Sequence, residues 1–228
     1  MSTELIVVLD MDTAAAALDA TDACGDCRWF KIGSQLFTRC GPEIVRAVRD
    51  RGKDVFLDLK FHDIPNTVAK AARAAADLGA KLLTVHAAGG RRMVEAAREA
   101  VAGSDARILA VTVLTSLTDA MLRDEVGIAQ TAAEAVPRLA RMAIEAGAHG
   151  VVSSPREIEA IRGAVGPDPL VVTPGIRPAW AAVNDQARIM TPRQAAAAGA
   201  DYIVVGRPIF GQGRPVQAVR RILEELQG

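Results

Sequence analysis

The sequence predicts a (β/α)8 barrel, and two patterns lead to this fold class. Alanine-rich segments with helical periodicity alternate with short apolar runs, and several of these segments end in Gly-Ala just before the next run. Strands that alternate with helices pair in parallel through right-handed crossovers, and eight such units in 228 residues favour a closed barrel. An open doubly wound sheet is the alternative. The eight predicted strands are residues 5–9, 29–32, 55–57, 82–85, 108–114, 151–152, 170–172 and 202–205.

The helices of the first half follow in order along the chain. Isoleucine, valine and alanine at helical spacing in residues 44–48 predict the helix before the third strand. Pro65 marks the start of the next helix, because proline is favoured at the first helical position. Gly79 ends that helix before the fourth strand. The same spacing recurs in residues 93–97, ahead of the fifth strand.

The second half contains two intervals that are longer than a plain strand-helix unit. The first follows the fifth strand and holds residues 118–126 and then a long helix, residues 129–146. Helical spacing in residues 158–165 predicts the helix before the seventh strand. The second long interval begins with the polar, irregular residues 177–189, which we predict to be a lid over the site.

Length and composition favour one domain spanning residues 1–228, because a chain that is 50% hydrophobic can bury a large aliphatic core. Lys+Arg 27 balances Asp+Glu 27, so the charge gives no general attraction to nucleic acid or to an anionic membrane. The first residues lack the basic region of a signal peptide, and residues 5–9 are too few to span a bilayer. We therefore expect a cytoplasmic protein.

The cysteines agree with a reducing compartment. The chain has three cysteines, which cannot all pair internally. Cys24 and Cys27 have the spacing of some redox and zinc sites, but no second cysteine pair or nearby histidine completes four ligands. We expect structural thiols and no metal.

Polar residues lie within or just after the last part of nearly every predicted strand, at the end where barrels of this class place their active sites. Charges of both signs that converge from different strands would share one pocket, where each needs a partner. In strand order these residues are Asp10, Lys31, Asp58 with Lys60, His86, Thr115 with Ser116, Ser153 with Ser154, Arg177, and Gly206 with Arg207.

The stretch DLKFHDIPNT contains the densest group of charges. Residues two apart on a strand share a face, so Asp58 and Lys60 should both point into the mouth of the barrel while Leu59 packs against the helices. A purely structural ion pair is the alternative for these two residues. Asp63 comes just before the helix that starts at Pro65, and helix capping is its alternative role.

The histidines share no metal-binding or catalytic motif. We expect His62 and His86 to orient and support loops near the mouth. His149 precedes the sixth strand and should lie at the opposite end of the barrel, which in this fold serves stability.

Two segments with glycine and arginine close the seventh and eighth strands. They are PGIR, which ends at Arg177, and GRPI, which begins at Gly206. Barrels of this class often bind phosphate there through a glycine N–H and a neighbouring helix start, and Arg207 can add a bidentate contact. The alternative is a solvated arginine beside a turn glycine.

Together these residues resemble the orotidine 5′-phosphate decarboxylase family. The resemblance runs in order along essentially the whole chain, and the Asp-x-Lys-x-x-Asp motif is its most specific part. Asn184 departs from it, because this position is commonly acidic. The matching segments are VVLDMD with Asp10, FKIG with Lys31, DLKFHDIPNT, VHAAGG, VLTS, PGIR, NDQAR and GADYIVVGRPI.

The resemblance implies decarboxylation of orotidine 5′-monophosphate to UMP, the last step of de novo pyrimidine synthesis, without metal or cofactor. Lys60 would protonate carbon 6, held by Asp58 and by Asp63 from the second subunit of a homodimer, with Lys31 completing the row. Ile64 and Thr67 would also reach the neighbouring site. Further implied substrate contacts are Asp10 and Lys31 to the ribose, Thr115 to the pyrimidine, and Arg177, Gln186, Gly206 and Arg207 to the phosphate.

Two other functions compete with this interpretation. Magnesium-dependent 3-keto-gulonate 6-phosphate decarboxylases share the Asp-x-Lys-x-x-Asp core, but their chemistry calls for acidic metal ligands where the second strand here has Lys31. A non-catalytic nucleotide sensor would keep the pocket without turnover. Such a sensor has no need for Lys60 and both acids of the motif.

Overall fold

The computed structural model describes residues 3–181, 190–211 and 213–227. The strands in these ranges form one closed parallel barrel in sequence order, with the last strand paired to the first. The predicted (β/α)8 class is therefore confirmed, and the open sheet is excluded. The strands are β1 (Glu4–Leu9), β2 (Trp29–Gly33), β3 (Asp54–Phe61), β4 (Leu82–His86), β5 (Arg107–Val111), β6 (Gly150–Val152), β7 (Leu170–Pro174) and β8 (Tyr202–Val205).

Helices follow the strands and cover the outside of the barrel. None of the helices in the described ranges combines the length and apolar character needed to cross a bilayer. The helices are α1 (Ala14–Ala23), α2 (Ser34–Cys40), α3 (Glu43–Arg49), α4 (Pro65–Asp77), α5 (Arg91–Ala100), α6 (Asp119–Asp124), α7 (Ala132–Glu145), α8 (Ile158–Val165), α9 (Pro192–Ala198), α10 (Arg207–Phe210) and α11 (Pro215–Gln227).

Alternation along each strand separates the apolar residues into two layers. Inward-pointing side chains such as Phe56 and Leu82 fill the interior of the barrel. Outward-pointing side chains such as Leu57 pack in the second layer, against the helices. The residue two positions after an inward one also points inward, which directs Asp58 and Thr84 into the barrel.

The third strand loses its regular geometry where the charged residues begin. Its register with β4 shifts between Leu57 and Phe61. Lys60 lies within this irregularity and has a φ of 52°, which makes it the one non-glycine residue with positive φ in the described chain. A side chain disfavours this conformation, so the surrounding contacts must hold it.

Several predicted boundaries were wrong. The third strand ends at Phe61 and not at residue 57. The fifth strand ends at Val111 and not at residue 114, because the N–H of Thr112 makes the last bond to β6 and Val113 is then buried in a loop. The helix predicted at residues 129–146 begins three residues later. Thr131 caps it there by donating its backbone N–H to the Glu134 carboxylate at 2.9 Å.

Candidate active site

A row of alternating charges lies at the C-terminal ends of the first three strands. Asp58 is central, because both of its carboxylate oxygens lie 2.8 Å from Nζ of Lys60. One of them is also 3.5 Å from Nζ of Lys31, and that Nζ is 3.6 Å from Oδ1 of Asp10. The structure therefore brings together four residues that the sequence predicted, in the order Asp10, Lys31, Asp58 and Lys60.

The electrostatic surroundings keep Asp58 ionised. Its burial alone would raise the pKa of the carboxyl group. The ammonium groups of Lys31 and Lys60, with hydrogen bonds from Lys60 and Thr84, nevertheless hold the pKa of Asp58 below its ordinary value. At neutral pH the carboxylate is thus a fixed anion between two cations.

A cavity of about 180 Å³ opens beside this row. Lys31, Asp58 and Lys60 line it together with Thr115, and most of the remaining wall is apolar. The Lys60 side chain stays 35% exposed, whereas that of Asp58 is 10% exposed. The ion pair faces a space that a ligand can enter, so it is not sealed inside the barrel as a purely structural pair would be.

One hydroxyl group contacts both members of the central pair. The backbone N–H of Lys60 donates to Oγ1 of Thr84 at 2.9 Å, and that hydroxyl donates to Oδ1 of Asp58 at 3.0 Å. Thr84 has no exposed surface. The sequence reasoning missed this residue, whose signal was a single polar residue inside the apolar run LLTV.

Gly33, at the end of β2, leaves space for two charged side chains. A Cβ atom at this position would lie 2.7 Å from Nζ of Lys31 and 3.3 Å from Oδ1 of Asp10. The sequence reasoning missed this residue as well. Glycine in a strand often marks such a close approach, and that was the available signal.

The residues predicted to reach a second subunit lie on the surface where α4 begins. Asp63, Ile64 and Thr67 are all exposed, and Ile64 keeps 66% of its surface accessible. Asp63 accepts a hydrogen bond from the N–H of Ile64 at 2.6 Å, but α4 has no side-chain cap. The capping role for Asp63 is therefore wrong. Within the described ranges, no ion pair joins Asp63 to Lys60.

The residues predicted to bind phosphate follow the seventh and eighth strands. Gly206 precedes α10, and a Cβ atom there would lie 3.0 Å from Cβ of Val8, so its backbone packs closely on β1. Arg207 is exposed and Arg177 is buried. Gln186 and most of the predicted lid lie outside the described residues.

The histidines occupy the two ends of the barrel, as predicted. The rings of exposed His62 and half-buried His86 lie near the mouth with their centroids 5.2 Å apart. Burial lowers the pKa of His86, and the nearby charges of His62 and Lys60 lower it further. At the opposite end, Nδ1 of His149 accepts the N–H of Ile108 at 2.9 Å. In the described parts of the chain, no cluster of three or more His, Cys, Asp or Glu side chains could hold a metal ion.

A larger cavity of about 600 Å³ lies at the N-terminal ends of the strands, away from the charged row. Its lining includes Glu4, Trp29 and Tyr202, and none of the predicted catalytic or substrate-binding residues. The rings of Trp29 and Tyr202 meet edge to face at 5.3 Å, and Nε1 of Trp29 donates to Glu4 at 3.1 Å. These contacts join the starts of the strands. Because the larger cavity contains none of the predicted site residues, the smaller cavity beside the charged row is the candidate active site.

Two sequence relatives and one solved structure are similar to this chain over nearly its whole length. Orotidine 5′-phosphate decarboxylase of Syntrophotalea carbinolica is 53% identical over 231 aligned positions, which cover 98% of this chain and 94% of the relative. The enzyme of that name from Anaeromyxobacter sp. strain K is 54% identical over 226 positions, covering 99% of both. The crystal structure of orotidine 5′-phosphate decarboxylase from Lactobacillus acidophilus has a TM-score of 0.89 and 39% identity, covering 99% of this chain and 100% of that one.

The match to a sequence family extends over nearly the whole barrel. The profile of the family described as "Orotidine 5'-phosphate decarboxylase / HUMPS family" matches residues 3–222. It therefore includes the charged row, the cavity wall and the segments after β7 and β8. By this match and by its full-length relatives, the chain belongs to the orotidine 5′-phosphate decarboxylase / HUMPS family.

Proposed function

We propose that the protein decarboxylates orotidine 5′-monophosphate to UMP and CO2, the last step of de novo pyrimidine nucleotide synthesis. The family match and the full-length relatives of that name support the reaction. One observation carries the assignment of residues: the Lys60 ammonium faces the cavity while both of its bonds to the ionised Asp58 carboxylate hold it in place.

The chemical difficulty of this reaction is a carbanion with poor delocalisation. When the bond from carbon 6 to the carboxylate breaks, its electron pair stays on the ring carbon and CO2 departs. An ammonium group beside carbon 6 stabilises this charge and then transfers one proton to the carbon. Lys60 is left neutral and regains a proton from water, so the cycle is balanced.

One ammonium group cannot supply the whole rate enhancement. At ~4 Å and an effective dielectric constant of ~20 it contributes about 4 kcal/mol. Enzymes commonly lower barriers by ~8–23 kcal/mol. The remainder must come from a preorganised site and from binding energy at parts of the substrate that do not react, above all the phosphate.

Two of the proposed binding contacts, Lys31 and Thr115, line the cavity itself. Lys31 and Thr115 line it with Lys60, which suits contacts to the ribose and to the pyrimidine edge respectively. Asp10, whose side chain is 56% exposed at the end of the row, can accept bonds from ribose hydroxyl groups. For the phosphate, the proposed contacts are Arg207 and Arg177, the Gly206 N–H and Gln186.

We further propose a homodimer in which each active site takes residues from both subunits. The described row ends at Lys60, whose side chain is partly exposed, and an anion from a second subunit would continue the alternation of charge. Exposed Asp63 can supply that anion, and exposed Ile64 and Thr67 lie beside it. A two-fold axis makes such a contact reciprocal, so one surface serves both sites.

The competing functions have less support. A magnesium-dependent reaction needs free carboxylates, but both oxygens of Asp58 are already 2.8 Å from Nζ of Lys60, and one of them is also 3.5 Å from Nζ of Lys31. A sensor needs no ammonium held beside the reacting carbon. The full-length relatives described above also bear the name of the decarboxylase and not of either alternative.

The reaction is tested by mixing purified protein with orotidine 5′-monophosphate and following the loss of its ultraviolet absorbance. We expect turnover that persists in EDTA, and much slower turnover of orotidine, which lacks the phosphate. Binding without a spectral change would favour the sensor. Activity lost in EDTA and restored by Mg²⁺ would favour the metal-dependent enzyme.

The role of Lys60 is tested in the same assay with Lys60→Ala. This variant should fold but lose about 10³-fold or more of kcat, because the proton donor and its charge are both removed. Lys53→Ala is the matched control, since Lys53 lies just before β3 and bonds to backbone oxygens of Gly25 and Cys27. Near-normal kcat in folded Lys60→Ala would refute the proton-donor role.

A further inference from the structure

Thr84 is a polar residue in an apolar part of the barrel. The inward-pointing residue before Thr84 on β4 is Leu82, and the residue that pairs with Thr84 on β5 is Leu109. Both leucines are buried. Thr84 itself is 0% exposed. Burial of a hydroxyl group is unfavourable unless hydrogen bonds replace those it makes to water, so its partners explain its place in the barrel.

The partners of this hydroxyl are the two residues at the centre of the charged row. It accepts from the backbone N–H of Lys60 at 2.9 Å and donates to Oδ1 of Asp58 at 3.0 Å. A hydroxyl group has one donor and two acceptor positions, so its only donor is committed to the carboxylate. The same oxygen of Asp58 accepts from Nζ of Lys60, and the three residues form a closed set of bonds.

The bond to Lys60 lies at the point where the strand is irregular. The positive φ of Lys60 is unfavourable for a residue with a side chain. Regular pairing of β3 with β4 is interrupted between Leu57 and Phe61, and the Lys60 N–H bonds there to a side chain of β4. Thr84 thus supplies an acceptor within the stretch where the regular register is lost.

We propose that Thr84 is a positioning residue whose hydroxyl fixes both the backbone bend at Lys60 and the orientation of the Asp58 carboxylate, and so holds the Lys60 ammonium where it delivers its proton. This inference rests on the proposed function, because the reaction gives the ammonium its task. Thr84 is not among the residues that line the cavity. It acts through Asp58 and Lys60 and makes no contact with substrate.

The test compares two substitutions that separate the hydroxyl from the methyl group. Thr84→Val keeps the shape and removes both bonds, whereas Thr84→Ser keeps the hydroxyl. Thr173→Val is the matched control, because Thr173 is a fully buried threonine on β7 whose hydroxyl has no hydrogen-bond partner within the described chain. Each variant is assayed for kcat, KM and the pH profile of kcat/KM, after its folded fraction is measured by thermal denaturation.

We expect Thr84→Val to lower kcat by about 10- to 100-fold with KM within about threefold of wild type, because a misplaced catalytic group slows chemistry more than it weakens binding. Its acidic limb should move to higher pH, since Asp58 loses a bond that favours its ionised form. Thr84→Ser should stay within about threefold of wild type in kcat, and Thr173→Val should match wild type. A loss of folded protein alone would leave the pH profile where it is.

Each other outcome has a definite meaning. A wild-type protein that does not decarboxylate orotidine 5′-monophosphate would overturn the proposed function and this inference together. Wild-type turnover with Thr84→Val unchanged in kcat and pH profile would overturn only the positioning role. A loss in Thr84→Ser equal to that in Thr84→Val would show that retaining the hydroxyl group does not preserve turnover, and would overturn the positioning role too. If Thr84→Val does not fold, Thr84→Ala replaces it with the same expectations.

Discussion

Among single residues, the absence of a side chain at Gly33 matters as much as the charges beside it. Lys31 can approach Asp10 because nothing projects from the end of β2 into the space between them. A methyl group there would meet the Lys31 ammonium at 2.7 Å. Lysine is flexible, so the fold can absorb this contact by moving the ammonium, but the row would lose its arrangement.

We therefore predict that Gly33→Ala lowers kcat/KM by about 10-fold while the melting temperature changes little, because Lys31 moves and the core does not. The control is Gly163→Ala in α8, where a Cβ atom would have no neighbour within 4 Å. Kinetics and thermal denaturation of both variants check this. An unchanged kcat/KM in Gly33→Ala would show that the position of Lys31 has little effect on turnover.

The charged residues of the site could be predicted from sequence, but their small neutral neighbours could not. Asp58 and Lys60 are two residues apart at the C-terminal end of a strand. The two-residue alternation of side chains and the fold class together therefore place them in the mouth of the barrel. Thr84 and Gly33 carry only weak signals, a polar residue in an apolar run and a glycine at a strand end, because their importance lies in the side chains that approach them in the folded barrel. That information comes only from the pairing of β3 with β4 and of β1 with β2.

At the level of elements, apolar runs in the sequence predicted where the strands lie. The ends of the strands are set by local hydrogen bonds, which the sequence does not show. The run at residues 108–114 is apolar apart from Thr112, yet its last three residues lie in a loop, where Thr112 and Val113 are buried and Leu114 is 39% exposed. An apolar run indicates burial but does not distinguish a strand from a buried loop. The bend in β3 was also unpredictable, because it depends on a side chain of the neighbouring strand.

The junction of β5 and β6 gives a prediction about pH. Burial lowers the pKa of His149 below its ordinary value of 6.5, and Arg98 and Arg107 lower it further. Above pH ~6.5 the ring is neutral in both folded and unfolded chains, and its bond to Ile108 is intact. As the pH falls below this value, the unfolded chain binds a proton first, so the free energy of unfolding must decrease.

We expect the free energy of unfolding to decrease less on acidification in His149→Asn than in wild type, because an amide oxygen can accept the N–H of Ile108 without titrating. Some decrease should persist, since the pKa of His86 is also lowered. Urea denaturation between pH 8 and pH 5 measures the effect. An identical slope in wild type and variant would show that His149 does not contribute to acid sensitivity.

For the whole molecule, the testable issue is whether one chain suffices to build the site. Within the described ranges Lys60 has one carboxylate partner, Asp58, and Asp63 of the same chain makes no ion pair with it. A homodimer with shared sites predicts complementation between defective subunits. Lys60→Ala and Asp63→Ala proteins, each weakly active, should regain activity when they are unfolded together and refolded.

Random pairing of equal amounts makes half of the dimers mixed, and each mixed dimer has one intact site of two, so about one quarter of wild-type activity should return. The control pairs Lys60→Ala with the double variant that also carries Asp63→Ala, which restores no intact site. Activity no greater than that of the separate variants would show that Asp63 does not cross between subunits.

The separation of the two ends of the barrel also bears on how such a protein can change over evolutionary time. Glu4, Trp29 and Tyr202 join the strand starts without touching the charged row at the other end. A lineage can therefore exchange residues around the mouth and acquire a different chemistry while the scaffold keeps its integrity. Mutations that redirect substrate choice and mutations that compromise folding should fall on largely distinct sets of positions.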